Sequence, residues 1–97
     1  MDALVQIQSE LKETIQRLYD YAIPDNHMTL SPTKKEFDGD LTFVVFPLVK
    51  ALKKSPQVIA EEIGAAVVDQ SELLDSFNVI KGFLNIELSK IAWNQLL

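Results

Sequence analysis

Residues 82 to 88 of this chain read Gly82-Phe83-Leu84-Asn85-Ile86-Glu87-Leu88, in which aliphatic side chains alternate with other types. Side chains of a β-strand point to opposite faces with a period of two, so the leucine and isoleucine side chains share one face. That apolar face belongs in a core. The opposite face carries Phe83 and Asn85, and we expect both of these side chains to lie near water.

An aromatic ring two residues from a carboxamide has the chemistry to bind an unpaired nucleic-acid base. The ring of Phe83 can stack on the base and the amide of Asn85 can hydrogen-bond its edge. Lys81 adds a positive charge at the turn before the strand. The alternative is that Phe83 is covered by a helix or by a neighbouring domain. The candidate RNA-binding residues are therefore Lys81, Gly82, Phe83 and Asn85.

The charge of the chain is acidic, with 14 aspartate and glutamate residues against nine lysine and arginine residues and a net charge of -5. This balance argues against a stand-alone nucleic-acid binder, because phosphate contacts normally supply most of the affinity. A local positive patch can still exist on an acidic domain. The alternative is that the clustered lysines only solvate a helix face and a loop. The candidate phosphate contacts are Lys34, Lys35, Lys50, Lys53 and Lys54.

Length and composition indicate one globular domain: 97 residues, 47% of them hydrophobic, are enough for a single core. Because the chain has no cysteine, disulfides and thiolate metal sites are excluded, and a reducing, cytoplasmic location is favoured. The sequence shows neither a cleavable secretion signal nor an apolar run of the roughly 18 residues that a membrane span needs. We expect a cytoplasmic protein that does not contact membranes.

Catalytic and metal-binding patterns are not found. His27 is the only histidine and lies in a proline-terminated loop. Asp38 and Asp40 flank Gly39, but a calcium loop needs further oxygen ligands, so a turn that caps a helix or strand is the better interpretation. The sequence has no nucleophile elbow and no glycine-rich phosphate loop. We therefore predict no catalytic residue and no metal ligand, and an independent small enzyme is disfavoured.

The periodicity predicts an α+β fold, a small antiparallel sheet with helices packed on one face, in a single domain. A hairpin turns at Lys81-Gly82, where glycine supplies a positive φ. Asp2 and Ser55 are the predicted helix N-caps. An apolar helical pattern that stops at Leu97 suggests that further domains follow. The predicted helices cover about residues 2–21, 46–53, 56–67 and 89–97, the strands about 28–32, 41–46, 77–80 and 83–88, and a polar connection 69–75.

Several segments, taken in order, resemble the appended N-terminal domain of arginyl-tRNA synthetases. No single motif is specific, but the order and spacing over about residues 29 to 89 are those of that family. The sequence departs from the family pattern at Phe43, at Ile80, where some relatives have a polar residue, and at Lys81, which replaces a proline. The matching segments are Pro32-Thr33-Lys34-Lys35-Glu36-Phe37, Gly39-Asp40-Leu41-Thr42, Leu48 to Pro56, Ile59 to Ile63 and Gly82 to Ile86.

The resemblance implies a module that packs against the elbow of tRNA(Arg) and contacts a base of the D-loop, with Phe83 stacking and Asn85 reading the base edge. The full-length protein would be a monomer that ligates arginine to tRNA(Arg) using ATP and magnesium. This fragment would be non-catalytic, because the HIGH-like and KMSKS-like elements are not in these residues and catalysis would lie beyond Leu97. The remaining domains of the same chain would then be its other partners. The alternative is a protein-interaction or structural module that packs on a missing partner domain.

Overall fold

Residues 2 to 96, which a computed structural model describes, form four α-helices and one four-stranded antiparallel sheet. Helix α3 packs on strands β3 and β4, and helix α1 packs on α3, so the helices form a layer against the sheet. The predicted α+β class is therefore confirmed. The elements are α1 Ala3–Tyr19, β1 Leu30–Pro32, β2 Leu41–Val44, α2 Phe46–Leu52, α3 Pro56–Gln70, β3 Leu74–Ile80, β4 Phe83–Leu88 and α4 Lys90–Leu96.

The strand order in the sheet is β1-β2-β4-β3, so β4 lies in the middle and β1 and β3 form the edges. The register places Phe43 opposite Leu84 and Thr42 opposite Asn85. We call the face that carries Phe43 and Leu84 the inner face, because it packs against the helices and both side chains are fully buried. The face that carries Thr42 and Asn85 is the outer face. The alternation predicted for β4 is confirmed.

The helices begin at the predicted caps. The Asp2 carboxylate accepts a hydrogen bond from the backbone N–H of Leu4, and the Ser55 hydroxyl accepts one from the N–H of Val58 at 3.2 Å. Each side chain satisfies a donor that the first helical turn leaves free. None of the helices within residues 2 to 96 is long and apolar enough to cross a membrane.

Several predicted boundaries are wrong, among them the end of the strand at 41–46, which stops at Val44. Residues 69–75 are not a polar connection: α3 continues to Gln70 and β3 already begins at Leu74. Leu73 and Leu74 are buried, and the core contacts of these leucines outweigh the polar side chains around them. The pairing of β3 with β4 shifts between Leu74 and Ser76, which breaks the alternation that would have identified the strand. Helix α1 also ends at Tyr19, earlier than predicted. The predicted helix end at Leu97 lies outside the described residues.

Candidate nucleic-acid interface

Phe83 lies on the outer face of the sheet, as predicted, where β4 begins after the hairpin turn. The side chain is half-buried. The ring of Phe46, the first residue of α2, packs against the Phe83 ring with centroids 5.3 Å apart and planes at 83°. This edge-to-face arrangement is favourable for aromatic pairs. Phe46 itself remains 44% exposed, so the two rings together form an aromatic surface that water reaches.

A small pocket opens beside Phe83, and we call it the Phe83 pocket. Its volume is about 100 Å³. Pockets for whole small molecules usually have roughly 300 to 1,000 Å³. The Phe83 pocket therefore has room for one ring of a larger ligand. It is lined by Ser31, Pro32, Lys34, Phe37, Thr42, Val44 and Phe83.

Asn85 does not lie near water, and the expectation that it would is wrong. Its exposed fraction is 1%. The loop of residues 33–40, between β1 and β2, covers it from the outer side. At Gly39 in this loop a Cβ atom would lie 3.1 Å from the Asn85 Cβ, so the loop backbone rests directly on the Asn85 side chain. The outer face is polar at this position, but a loop distant in sequence excludes water from it.

The amide of Asn85 takes part in a chain of side-chain hydrogen bonds, which we call the polar relay. The Asn78 Nδ2 donates to the backbone carbonyl of Asp38 at 2.7 Å, which directs the Asn78 Oδ1 toward Asn85. The Asn85 Nδ2 donates to that oxygen at 3.0 Å, and the Asn85 Oδ1 accepts from the Thr42 hydroxyl at 2.7 Å. The Thr42 oxygen is also 3.0 Å from the Thr33 hydroxyl, which must donate because the single Thr42 proton is already used.

The polar relay joins the two ends of the 33–40 loop, because Thr33 begins the loop and Asp38 lies near its end. Asp40 fixes the same loop to β4: its N–H donates to the Ile86 carbonyl at 2.8 Å, and its carboxylate accepts from the Leu88 N–H at 2.8 Å. The interpretation of Asp40 as a capping side chain is confirmed. Among residues 2 to 96 no group of three or more His, Cys, Asp or Glu side chains is placed to hold a metal ion.

The hairpin turn consists of Lys81 and Gly82, with φ of 52° and 79°. Two successive positive φ values are those of a two-residue type I′ turn. Gly82 is buried: a Cβ there would lie 2.7 Å from the Pro56 Cβ and 3.3 Å from the Phe46 ring. Gly82 was predicted to bind RNA, but the structure places it beneath the aromatic surface, where it lets Phe46 approach the turn. Lys81 is exposed beside Phe83.

The candidate phosphate contacts do not form one patch. Lys34 lines the Phe83 pocket, and Lys35 is exposed next to it. Lys50 follows Phe46 by four positions in α2, so both side chains lie on the same side of that helix. Lys53 ends α2 in a left-handed conformation with φ of 54°.

Lys54 turns away from the outer face, toward the helix layer. Its Nζ lies 3.1 Å from the Glu62 carboxylate and 5.4 Å from the centroid of the Tyr19 ring. The Tyr19 hydroxyl donates to the same carboxylate at 2.6 Å. This hydrogen bond, followed by the one from Lys54, lowers the pKa of Glu62. Lys54 is therefore engaged in an ion pair with the helix layer and does not line the Phe83 pocket.

Comparison with known proteins identifies the family. The sequence model described as "Arginyl tRNA synthetase N terminal domain" matches residues 5 to 88. This chain belongs to that family. It is 42% identical over 83 residues to an arginine–tRNA ligase of Bacteroides thetaiotaomicron. This match covers 86% of this chain and 14% of the relative. It is 39% identical over 93 residues to the arginine–tRNA ligase of Phocaeicola vulgatus, a match that covers 95% of this chain and 15% of that relative.

The fold agrees with a solved structure of this family. The Thermus thermophilus arginyl-tRNA synthetase superposes with a TM-score of 0.74 at 22% identity, covering 91% of this chain and 14% of that chain. This likeness concerns the fold alone. The chain spans only 14% to 15% of the length of the curated relatives described above.

Sequence reasoning missed three residues at this site of the synthetase domain: Ser31, Phe37 and Phe46. Ser31 and Phe37 line the Phe83 pocket, and Phe46 packs on the Phe83 ring. Ser31 precedes a proline in a three-residue strand, and Phe37 lies in a polar loop, so neither belongs to a periodic pattern. Phe46 follows an apolar strand and resembles a core residue. No local signal places these side chains beside Phe83, because strand pairing and the 33–40 loop bring them together.

Proposed function

We propose that this chain is the tRNA-binding N-terminal domain of an arginyl-tRNA synthetase and contacts a base of the D-loop at the elbow of tRNA(Arg). Phe83 is the stacking ring in this proposal. The whole protein would ligate arginine to tRNA(Arg) using ATP, in the cytoplasm. The proposal rests on the family to which the chain belongs and on one observation, the half-buried Phe83 ring beside an open pocket on the outer face.

The chemistry of the pocket suits a base. Stacking of a base on an aromatic side chain contributes roughly 1 to 3 kcal/mol, and it requires a ring that a ligand can reach. Lys34 lines the pocket and Lys81 is exposed at the turn before β4, so both are candidates to meet the phosphates of the same strand. Because the net charge is -5, the domain would add a local contact, and other domains would supply most of the phosphate contacts.

ATP and magnesium have no proposed role within this domain. Residues 2 to 96 contain no group of three or more His, Cys, Asp or Glu side chains suited to a metal ion, and the sequence has no glycine-rich phosphate loop. We propose that adenylate formation belongs to the remaining domains of the same chain. This domain would position tRNA, and its variants would change tRNA binding more than amino-acid activation.

The first test measures aminoacylation by the longer enzyme that carries this domain. Phe83→Ala should raise the KM for tRNA by roughly 5- to 150-fold, the loss expected for one stacked base. ATP–pyrophosphate exchange at saturating arginine and tRNA should change little. Phe83→Leu is the matched variant, since it keeps an apolar side chain on Phe46 but removes the ring. Equal KM values for the wild type and both variants would overturn the proposal.

The second test separates this function from the alternative, a protein-interaction module. The isotope-labelled 97-residue chain is titrated at low salt with a D-arm RNA hairpin, and its amide chemical shifts are followed. Shifts clustered at Phe83, Lys81 and Lys34 would support RNA binding. An absence of shifts at millimolar hairpin would instead favour a surface that packs on another protein domain. That outcome would leave the exposed apolar side chains Leu18 and Trp93 as the next candidates.

A further inference from the structure

We propose that Ile91 and Trp93, on the two flanks of helix α4, form a docking surface for the domain that follows residue 97 in the longer enzyme. This surface is separate from the Phe83 pocket, and its partner is protein instead of RNA. The inference rests on one part of the proposed function, namely that this chain belongs to a longer arginyl-tRNA synthetase.

The beginning of α4 is fixed to the body of the domain by Ser89, whose side chain is buried. The Ser89 hydroxyl accepts from the backbone N–H of Ala92 at 3.3 Å and donates to the carbonyl of Glu72 at 2.7 Å. The Ser89 N–H donates to the Leu73 carbonyl at 2.9 Å. Ser89 therefore caps the helix and also ties it to the segment between α3 and β3. These bonds give α4 a fixed direction relative to the sheet.

The apolar side chains of α4 cover a wider arc than the domain itself buries. Ala92 is fully buried in the core, and Leu96 packs against the same core. Ile91 and Trp93 precede and follow Ala92, so in a helix they project about 100° to either side of it. Each of them remains 44% exposed. A surface helix normally has one apolar stripe, whereas α4 adds an apolar side chain on each flank of its buried stripe.

Helix α4 is also short for a helix that has so little burial within its own domain. Isolated helices below roughly 12 to 15 residues are marginal in water, so tertiary packing has to maintain them. Among the residues of α4, Lys90–Leu96, the one buried side chain is the small Ala92. A tryptophan side chain offers far more apolar area than an alanine. A partner that covers both flanks of α4 would supply the burial that this domain does not.

The first turn of α1 lies at the same end of the molecule as α4. The Tyr19 hydroxyl bonds to Glu62 and the Ser71 hydroxyl bonds to Glu10, so α1 runs antiparallel to α3 and its first turn extends past the end of α3. Helix α4 is attached there and contacts α1. The exposed apolar side chains on these two helix segments are Leu4, Val5, Ile91 and Trp93.

The charges at this end favour a protein partner over RNA. Asp2 precedes α1, Glu87 comes just before α4, and Glu72 follows α3; all three are exposed. Helix α4 carries one lysine, Lys90. RNA binding depends on basic residues that meet phosphates, and acidic side chains oppose it. An exposed tryptophan among uncharged apolar side chains is instead typical of the central part of a protein interface.

The lengths of the related proteins indicate which protein covers this surface. The family model ends at residue 88, so the N-terminal domain that it describes stops before α4. One curated relative nevertheless matches over all 97 residues, which make up 16% of its length. The likeness thus continues through α4 in a much longer protein, where α4 connects the N-terminal domain to the next one. A domain joined to α4 meets its flanks at a high effective concentration.

The first test is hydroxyl-radical footprinting of the longer enzyme without tRNA, measured by mass spectrometry. The oxidation rate of each side chain is divided by its rate in the urea-unfolded enzyme. Phe46 is the matched reference, because it is 44% exposed like Trp93 but lies beside Phe83. Trp93 should react roughly 5-fold more slowly than Phe46, since the centre of a protein interface is packed as closely as an interior. Equal normalised rates would overturn the proposal.

Two other outcomes of the footprinting would identify a different partner and would also overturn the proposal. If Trp93 reacts freely in the enzyme alone and is protected only when tRNA is added, RNA covers α4. If protection appears only at concentrations where sedimentation shows a dimer, a second copy of the enzyme covers it. The expected result is protection of Trp93 in the monomeric enzyme without tRNA.

The second test compares amide hydrogen exchange in α4 between the longer enzyme and its Trp93→Gln variant. These amides should exchange roughly 5- to 30-fold faster in the variant, the loss expected when one interface anchor is truncated. Leu18→Gln is the matched control, because it also replaces an exposed apolar side chain by glutamine, near the other end of α1. The control should leave exchange in α4 unchanged. Equal exchange in the wild type and in Trp93→Gln would contradict the docking of α4.

The inference and the proposed function fail in different ways. If Trp93 reacts like Phe46 while Phe83→Ala still raises the KM for tRNA, the domain binds tRNA and the docking surface is overturned. If Trp93 is protected while Phe83→Ala leaves the KM unchanged, the docking surface stands and the tRNA contact fails. The footprinting uses the unmodified enzyme, so its result does not depend on whether a variant folds.

Discussion

On the inner face of the sheet Phe43, Leu84 and Ile86 are fully buried under the helices, whereas on the outer face the 33–40 loop rests on Asn85. The inner face depends on close packing. Helix α3 crosses it at Gly64, where a Cβ would lie 2.5 Å from the Phe77 ring. The outer face depends on the polar relay, and it leaves the Phe83 pocket open at its side.

This difference separates what the two faces of one strand depend on. Apolar packing has no preferred direction and tolerates exchange between side chains of similar volume. Each member of the polar relay, in contrast, must donate or accept in one direction. Leu84 and Ile86 in β4 therefore stabilise the fold, and Phe83 and Asn85 on the other side belong to the candidate site. The following substitutions test that separation.

The largest effect is expected on the inner face. Leu84→Ala should reduce the free energy of unfolding by about 2 to 5 kcal/mol, because it leaves a cavity between α3 and the sheet. Urea denaturation of the 97-residue chain measures this loss. Leu84→Met is the matched control and should cost less than about 1.5 kcal/mol, since it conserves apolar volume. Equal losses in the two variants would mean that close packing does not govern this face.

The next effect comes from the polar relay. Asn85→Ala should cost about 1 to 3 kcal/mol, because it removes the partner of the buried Thr42 hydroxyl and of the partly buried Asn78 carbonyl oxygen. Glu87→Ala is the control on the same face of the same strand, and at that exposed position the change should stay within about 0.5 kcal/mol. The comparison of the two faces is contradicted if both variants unfold at the same urea concentration.

The sequence was sufficient for the features that depend on neighbouring residues. The alternation in residues 82 to 88 predicted which side chains of β4 share a face, and the Lys81-Gly82 pair predicted the hairpin. Asp2 and Ser55 were found as caps for the same reason, because a cap and its partner lie within three residues. The alternation, the turn and the caps each depend on residues only a few positions apart.

The parts that could not be predicted depend on contacts between distant segments. Asn85 was expected near water because the alternation gives its face, but burial of that face is decided by the 33–40 loop. Lys54 was grouped with Lys50 by its position in the sequence, yet the left-handed residue Lys53 between them redirects the chain toward Glu62. Tertiary contacts decide both the burial of Asn85 and the direction of Lys54, and sequence periodicity does not predict such contacts.

A smaller effect is expected where the 33–40 loop meets the sheet. Gly39 has φ of 140°, and an added Cβ would lie 3.1 Å from both the Asn85 Cβ and the Thr33 hydroxyl oxygen. Gly39→Ala should therefore cost about 1 to 2 kcal/mol through backbone strain and crowding. Hydrogen exchange at the Asp40 amide, which bonds to the Ile86 carbonyl, should become faster. Unchanged exchange there would show that the loop does not depend on its contact with Asn85.

The smallest effect belongs to the helix layer and serves as a control for the outer face. The Tyr19 hydroxyl and then Lys54 lower the pKa of Glu62, so this carboxylate stabilises the folded state above its ordinary pKa of 4.5. The contribution is lost as the pH falls through the lowered value. Tyr19→Phe should cost only about 0.5 kcal/mol near neutral pH, because the group is partly exposed and screened by solvent.

The pH dependence gives this last prediction its sign. The difference in stability between wild type and Tyr19→Phe should be present near neutral pH and should close as the pH falls below the lowered pKa of Glu62, where this residue is protonated in both folded and unfolded chains. Urea denaturation at several pH values measures the difference. A gap that widens toward acid would contradict the lowered pKa. The same variant should bind RNA like the wild type, because Tyr19, Glu62 and Lys54 surround a groove between α1 and α3, away from Phe83. A change in RNA affinity would mean that the two sides of the domain do not act separately.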